Sequence, residues 1–179
     1  WKKARKSYDI ERSSLINSIL TLVEPNDPDR ARAEKEATNG RWHLSKKRSR
    51  EFKTRGIKQG FREDKLQADG PGFLYNSHVA QMTTARMAVL RPNRQDRSIA
   101  LKDVATAFLQ STPYPNGMVK YIKLQNPFTK ETEYFRQTGP IYGEASAPIR
   151  WENTIAPWLQ DKTMGFKRSE ADPALFYHP

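Results

Sequence analysis

The sequence predicts an α+β fold in which antiparallel strands carry packed helices. Three patterns predict it. Apolar residues recur every three or four positions over 1–24 and again after Pro148. Apolar and polar residues alternate over 41–62, around a basic turn. A second pair of strands, Met118–Leu124 and Thr132–Gln137, is joined by Asn126-Pro127-Phe128.

In chain order, Trp1, Ala4, Tyr8, Leu15, Ile16, Ile19, Leu20 and Val23 predict one amphipathic helix, ended by Pro25 and Pro28. Residues 29–39 are charged in both signs and predict a solvated helix or loop. Residues 41–62 hold nine basic side chains (Arg41, Lys46, Lys47, Arg48, Arg50, Lys53, Arg55, Lys58 and Arg62) against one acid, Glu51. Trp42, Leu44 and Phe52 alternate there with polar residues, which predicts a hairpin turning at 46–50. Gly70-Pro71-Gly72 marks 63–76 as loop. Ser77 predicts a cap for a helix over 78–90, with Val79, Met82, Ala85 and Val89 on its inner face. After a polar turn at 93–97, Ile99 and Leu101 predict a strand ending in Asp103, followed by the short apolar run 104–110. Pro113, Pro115 and Gly117 predict a turn before the second hairpin. Pro148 suits the first turn of a helix that buries Trp151, Ile155, Trp158 and Leu159, and Pro157 should kink or end it. Pro173–His178 predicts a last apolar strand.

Composition narrows the function. The 179 residues carry 31 Lys and Arg against 20 Asp and Glu, a net charge of +11 that favours polyanionic partners. Leu, Ile, Val and Phe supply 34 of the 179 residues, so the core is thin, yet aromatics at 11% mark a folded chain. The absence of cysteine excludes disulfides, thiolate metal sites and a cysteine nucleophile. His43, His78 and His178 show no metal-ligand spacing, and no apolar run approaches the roughly 18 residues that span a bilayer. The start at Trp1 and the stop after Ala174-Leu175-Phe176-Tyr177 suggest part of a longer domain.

Asp103 carries the most information. Alternation puts it on the same face as Ile99 and Leu101, the buried face, where a carboxylate is costly unless paired or metal-bound. It can be a sheet-end cap for the following turn. In a basic chain it can equally be a metal ligand at a phosphoryl-transfer site, with the hairpin supplying cations for phosphates. One carboxylate does not hold two metals, and the nearest candidates, Glu144 and Asp172, lack adjacent-acid spacing.

Six segments in order resemble the reverse transcriptases of copia-type retrotransposons. Trp1-Lys2-Lys3-Ala4 running to Leu22-Val23-Glu24-Pro25 resembles the family's opening helix and turn. Arg41-Trp42-His43-Leu44 with Lys46 or Lys47, and Lys53 to Phe61, resemble its basic hairpin. Asp103-Val104-Ala105-Thr106-Ala107-Phe108-Leu109 resembles Asp-Val-Lys-Thr-Ala-Phe-Leu. Tyr142-Gly143 with Ala147-Pro148 and Trp151 resembles the Tyr-Gly motif, although Glu144-Ala145-Ser146 stands where the family has Leu-Lys-Gln. Gly165-Phe166-Lys167-Arg168-Ser169 and Asp172-Pro173-Ala174-Leu175-Phe176 complete the series.

The resemblance implies part of a right-hand polymerase within a single partial domain. Residues 1–98 would be mainly fingers and lead-in, and 99–179 mainly palm, stopping before the Tyr-x-Asp-Asp hairpin. It implies an RNA-directed DNA polymerase that adds deoxynucleotides to a primer with Mg²⁺ or Mn²⁺. Asp103 would be the catalytic, metal-binding aspartate, with the Val104 carbonyl beside it. Lys53, Arg55, Phe108, Tyr142 and Gly143 would hold the deoxynucleoside triphosphate. On the basic hairpin, Arg41, Lys46, Lys47, Arg48, Arg50 and Lys58 would contact the RNA/DNA primer–template. It implies no membrane partner, and an intracellular location in a cytoplasmic particle or the nucleus. On this reading the 179 residues alone should be inactive. A non-catalytic nucleic-acid-binding relic of such a polymerase fits the same charges, and so does a basic domain with no nucleic-acid partner.

Overall fold

A computed structural model describes residues 1–63, 69, 73–93, 100 and 102–179. Its centre is a five-stranded sheet of order β1-β5-β4-β2-β3, formed by β1 (Leu20–Leu22), β2 (Thr38–Lys46), β3 (Phe52–Lys58), β4 (Lys120–Gln125) and β5 (Thr132–Gln137). The helices are α1 (Lys2–Ile16), α2 (Arg30–Glu36), α3 (Met82–Asn93) and α4 (Ala147–Gln160). A two-stranded ribbon, β6 (Lys167–Arg168) with β7 (Phe176–Tyr177), lies apart from the sheet. The α+β class agrees with the sequence expectation, and so do both hairpins. The sheet is mixed rather than antiparallel throughout, because β2 runs parallel to β4 at Thr38–Ile122 and Asn39–Lys123.

The predicted 1–24 helix divides in two. It stops at Asn17, and Leu20–Leu22 become a strand beside β5. Leu20, Thr21 and Leu22 alternate inward and outward, a period of two that overrides the helical spacing of Ile19, Leu20 and Val23. Residues 30–36 form the solvated helix, with only Ala33 buried. Ser77 caps nothing: α3 starts at Met82, and Val79, Met82 and Val89, expected to face inward, are exposed. The lead-in to α3 is anchored instead, by the His78 N–H on Glu152 (2.7 Å) and the Gln81 N–H on Asp172 (3.0 Å). Pro157 lies within α4 and does not end it. The final strand shrinks to Phe176–Tyr177. The predicted turn at 93–97 and the strand residues Ile99 and Leu101 fall mostly outside the described residues.

Two apolar clusters flank the sheet. On one face Ile122, Leu124 and Phe135 meet Leu15 of α1, Ile19, Leu109 and Ile141. On the other face Tyr121 meets Val23 and Ala33 of α2. Arg136 crosses this second face to Asp27 and Asp29, at 2.5 and 2.8 Å.

The first face ends in a buried ionic cluster. Lys58 Nζ reaches Glu63 at 2.7 Å and the Gln137 carbonyl oxygen at 3.1 Å. Lys120 Nζ reaches Asp69 and Glu144, both at 2.9 Å, and Arg150 reaches the same Asp69 oxygen at 3.0 Å. Glu144 also accepts from Tyr114 (2.7 Å), Gln137 (2.6 Å) and Ser146 (2.8 Å). Burial pushes the Glu144 carboxyl up, but Lys58 and Lys120 outweigh it and hold the group below its ordinary 4.5. Burial likewise pulls the Lys120 ammonium down, but Glu144 and Glu63 outweigh it and raise it above 10.5.

These opposite shifts set a pH window. A depressed carboxylate stabilises the fold above its unfolded value and loses that contribution as pH falls through the folded one. We therefore expect the urea midpoint to drop on acidification below 4.5, and again on alkalinisation above 10.5. Glu144→Ala should cost about 3–5 kcal/mol, because it leaves three buried cations facing two acids and removes the acceptor of Tyr114 and Gln137. Replacing the pair together, as Glu144→Leu with Lys120→Met, should cost less than Glu144→Ala alone in the same titration. Equal losses would mean that the cluster is not coupled.

Candidate functional site

The site is assembled around Tyr142 by segments far apart in sequence. β3 alternates, so Thr54, Gly56 and Lys58 turn inward while Lys53 and Arg55 turn outward. Arg55 thereby lays its guanidinium 5.5 Å from the Tyr142 ring centre. From another direction the Phe108 ring meets Tyr142 edge-on, centres 5.7 Å apart and planes at 61°. Phe108 sits in a single turn of 3-10 helix, Ala107–Gln110, entered through Thr106 in a left-handed conformation (φ +52°). Such a conformation is costly for a β-branched residue and aims the turn at Tyr142.

Backbone contacts fix Tyr142 and Gly143 in place. The Lys58 N–H donates to the Tyr142 carbonyl at 2.8 Å, and the Gly60 N–H to the Gly143 carbonyl at 3.1 Å. Gly143 takes φ +83°, and a Cβ there would lie 2.2 Å from the Lys58 carbonyl oxygen. Gly60 is as tightly held, since its Cβ would lie 2.4 Å from the Gly143 oxygen. Both positions require glycine for close approach.

Charges meet at the Tyr142 hydroxyl. Burial raises its pKa above 10.0, and Glu11 adds to the rise, Arg55 opposes it and Asp103 contributes upward. Glu11 was not singled out from sequence. It projects from α1 beside the Gly56 N–H, and burial raises its carboxyl above 4.5 against that hydrogen bond and the nearby Arg55 and Lys53. The signal was present: Ala4, Tyr8 and Leu15 mark the buried stripe of α1, and Glu11 lies on it.

The candidate residues therefore separate. Arg55, Phe108, Tyr142 and Gly143 meet, and Asp103 is close enough to act on Tyr142. Lys53 shares the outward face of β3 with Arg55. Arg41 and Lys46 on β2, and Lys47, Arg48 and Arg50 in the turn, are all exposed. Lys58 is a correction: it is 1% exposed and held by Glu63, so it contacts no nucleic acid. A count of charges along 41–62 does not register that alternation turns this one inward.

Asp103 is a second correction. The sequence placed it on a buried strand face, yet residues 102–104 are exposed and irregular. Its carboxylate stands free of the desolvation that was expected to strain it. Mg²⁺ is held by one or two carboxylates and completes its shell with water and substrate phosphates, so Asp103 with the Val104 carbonyl would supply only part of such a site. Among the described residues no group of three or more His, Cys, Asp or Glu could hold a metal ion. The residues present do not make a divalent site by themselves, so no chemical step is assigned through a metal here.

Gly143→Ala should cost about 2 kcal/mol or more, from the left-handed backbone and the contact with Lys58. The same change should release Tyr142 from β3, seen as loss of protection of the Lys58 amide in hydrogen exchange. A Gly143→Ala protein as stable as the parent would mean that this close approach is not held in solution.

No protein-family model, curated protein or solved structure matches this chain. What the site does is read from these residues and distances.

Proposed function

We propose that the chain is the fingers-and-palm portion of an RNA-directed DNA polymerase of the copia retrotransposon type. The observation that carries this reading is the meeting of Arg55, Phe108 and Tyr142–Gly143, three segments that the motif order assigns to one nucleotide pocket. Arg55 offers a planar fork of donors to a triphosphate, with Lys53 on the same face as a second cation. The Phe108 ring, braced against Tyr142, presents an apolar surface to the sugar and limits space at its 2′ position. Arg41, Lys46, Lys47, Arg48 and Arg50 are exposed where they could contact phosphates of the primer–template, with Lys47 shared with Glu51 at 3.7 Å. Asp103 would offer one carboxylate to Mg²⁺ or Mn²⁺, and a complete metal site would need further acids beside it. Such an enzyme works in a cytoplasmic particle or the nucleus. Among the described residues no helix is long and apolar enough to cross a membrane.

One observation favours a second reading, a nucleic-acid binder without chemistry. Asp103 is a single exposed carboxylate, and Glu144, the acid nearest the Tyr-Gly motif, is spent on Lys120 and Tyr114 inside the fold.

Three measurements test these readings. Arg55→Ala should weaken binding of a deoxynucleoside triphosphate by about 1.5–3 kcal/mol, roughly tenfold or more, by titration calorimetry. Unchanged affinity would remove the nucleotide pocket and leave the binder. Asp103→Asn should leave the thermal midpoint unchanged, since surface substitutions stay within about 0.5 kcal/mol. The parent chain should bind primer–template with log affinity falling by about 0.9 per phosphate contact against log salt. Changing Lys46, Lys47, Arg48 and Arg50 together to Ser should flatten that slope. An unchanged slope places the phosphates elsewhere.

A further inference from the structure

The strongest positive surface that the hairpin reading does not use lies on α1. Lys2, Lys3, Arg5 and Lys6 all face solvent, while Ala4 and Tyr8 between them turn inward. Lys2 with Lys6, Lys2 with Arg5, and Lys3 with Lys6 are like-charge pairs at helical spacing, which repel one another. Among the described residues none of the four is in an ion pair, although Arg12 and Arg30 elsewhere each find a glutamate at 2.7 and 2.6 Å. No ion pair offsets that repulsion, and Arg5 instead lies over the Phe128 ring, 5.3 Å from its centre.

These cations line two adjoining grooves. One, of about 660 Å³, runs along α1 past Lys2, Arg5, Lys6 and Ile10. The other, of about 420 Å³, runs between α1 and the basic hairpin and is walled by Lys3, Lys6, Lys47, Lys53, Ile10 and Phe52. Lys6 and Ile10 border both, so the two lie side by side along α1 as a track of cations. Ile10 is 61% exposed where they meet, an apolar surface among the cations. Asp9 lines the first groove and Glu11 and Glu51 the second, leaving cations in excess along the whole.

We infer that this track binds a single-stranded polynucleotide. Regular cations answer the phosphates by charge complementarity, and Ile10 and Phe52 offer apolar surface to unpaired bases and sugars, which a duplex keeps stacked inside. The track continues from the hairpin tip at Lys47 and reaches Lys53, two residues from Arg55. The inference rests on the nucleic-acid reading above only for the class of partner. It extends that partner's path to a helix to which no nucleic-acid contact was assigned.

The test uses the whole chain and a fluorescent 16-nucleotide oligo(U), read by anisotropy over a salt series. The variant changes Lys2, Lys3 and Lys6 each to Gln, a good helix former that removes the like-charge pairs. Its thermal midpoint should hold or rise. Its log–log salt slope should flatten by about 2, from about 0.7 per single-strand phosphate contact. Ile10→Ser should weaken oligo(U) more than a blunt duplex of equal length. An unchanged slope in the triple variant overturns the track while leaving the polymerase reading intact. Competition by polyglutamate as effective as by unlabelled oligo(U) overturns it in favour of an acidic-peptide surface. If the parent chain binds no oligo(U), the track falls. The Arg55→Ala titration with triphosphate then judges the nucleotide pocket independently.

Discussion

The buried ionic cluster of Lys58, Lys120 and Arg150 with Glu63, Asp69 and Glu144 is the interaction on which the remaining structure depends. It lies where the first sheet face meets the turn before α4, at the end of the thin apolar core. Six charges out of water would be ruinous singly, and they are tolerable only because each faces an opposite partner and further donors. Tyr114 and Gln137 fill the remaining hydrogen-bonding capacity of Glu144. Burial against Lys120 and Arg150 leaves even Asp69 below its ordinary 3.8, since the two cations outweigh desolvation. A cluster of this kind contributes less to net stability than to choosing one arrangement. A shifted register would strand a charge.

Its position also builds the functional site. Lys58 and Glu144 bracket the Tyr142–Gly143 segment: Lys58 follows Ile57 on β3, and Glu144 follows Gly143 in the turn. With both side chains locked inside, the backbones of 58–60 and 142–143 are pressed together, and glycines at 60 and 143 let them close. Tyr142 is thereby presented to Arg55 and Phe108. Where Glu144-Ala145-Ser146 departs from the family pattern, Glu144 serves as a partner for the buried Lys120 and accepts from Ser146.

What the sequence revealed follows from what periodicity can see. The 41–62 hairpin was legible from alternation around a basic turn, and the 118–137 hairpin from two strand-forming runs either side of Asn126-Pro127-Phe128. The end of α1 was not, because Ile19, Leu20 and Val23 satisfy a helical spacing and a strand at once, and only pairing with β5 decides. Arg55, Phe108 and Tyr142 were legible as motif members. Their convergence was not, since 53 residues separate the first two. Lys58 and Asp103 were misplaced for one reason: each was read from neighbours in sequence, and each takes its environment from elsewhere in the fold. Glu63, Lys120 and Arg150 gave no signal, because an isolated charge in a strand or helix reads as a solvated one.

The same alternation separates structural from functional cations. Along β3 the inward series ends in Lys58, neutralised by Glu63, while the outward series presents Lys53 and Arg55. The three cations and three acids of the cluster cancel, so it takes nothing from the chain's net charge of +11. An excess of that size repels itself and weakens the compact state. The fold withstands it because the ionic cluster and the two apolar faces hold the sheet from within. The unpaired residues Lys2, Lys3, Lys6 and Lys53 then remain available to a polyanion, whose phosphates relieve the repulsion that the free chain carries.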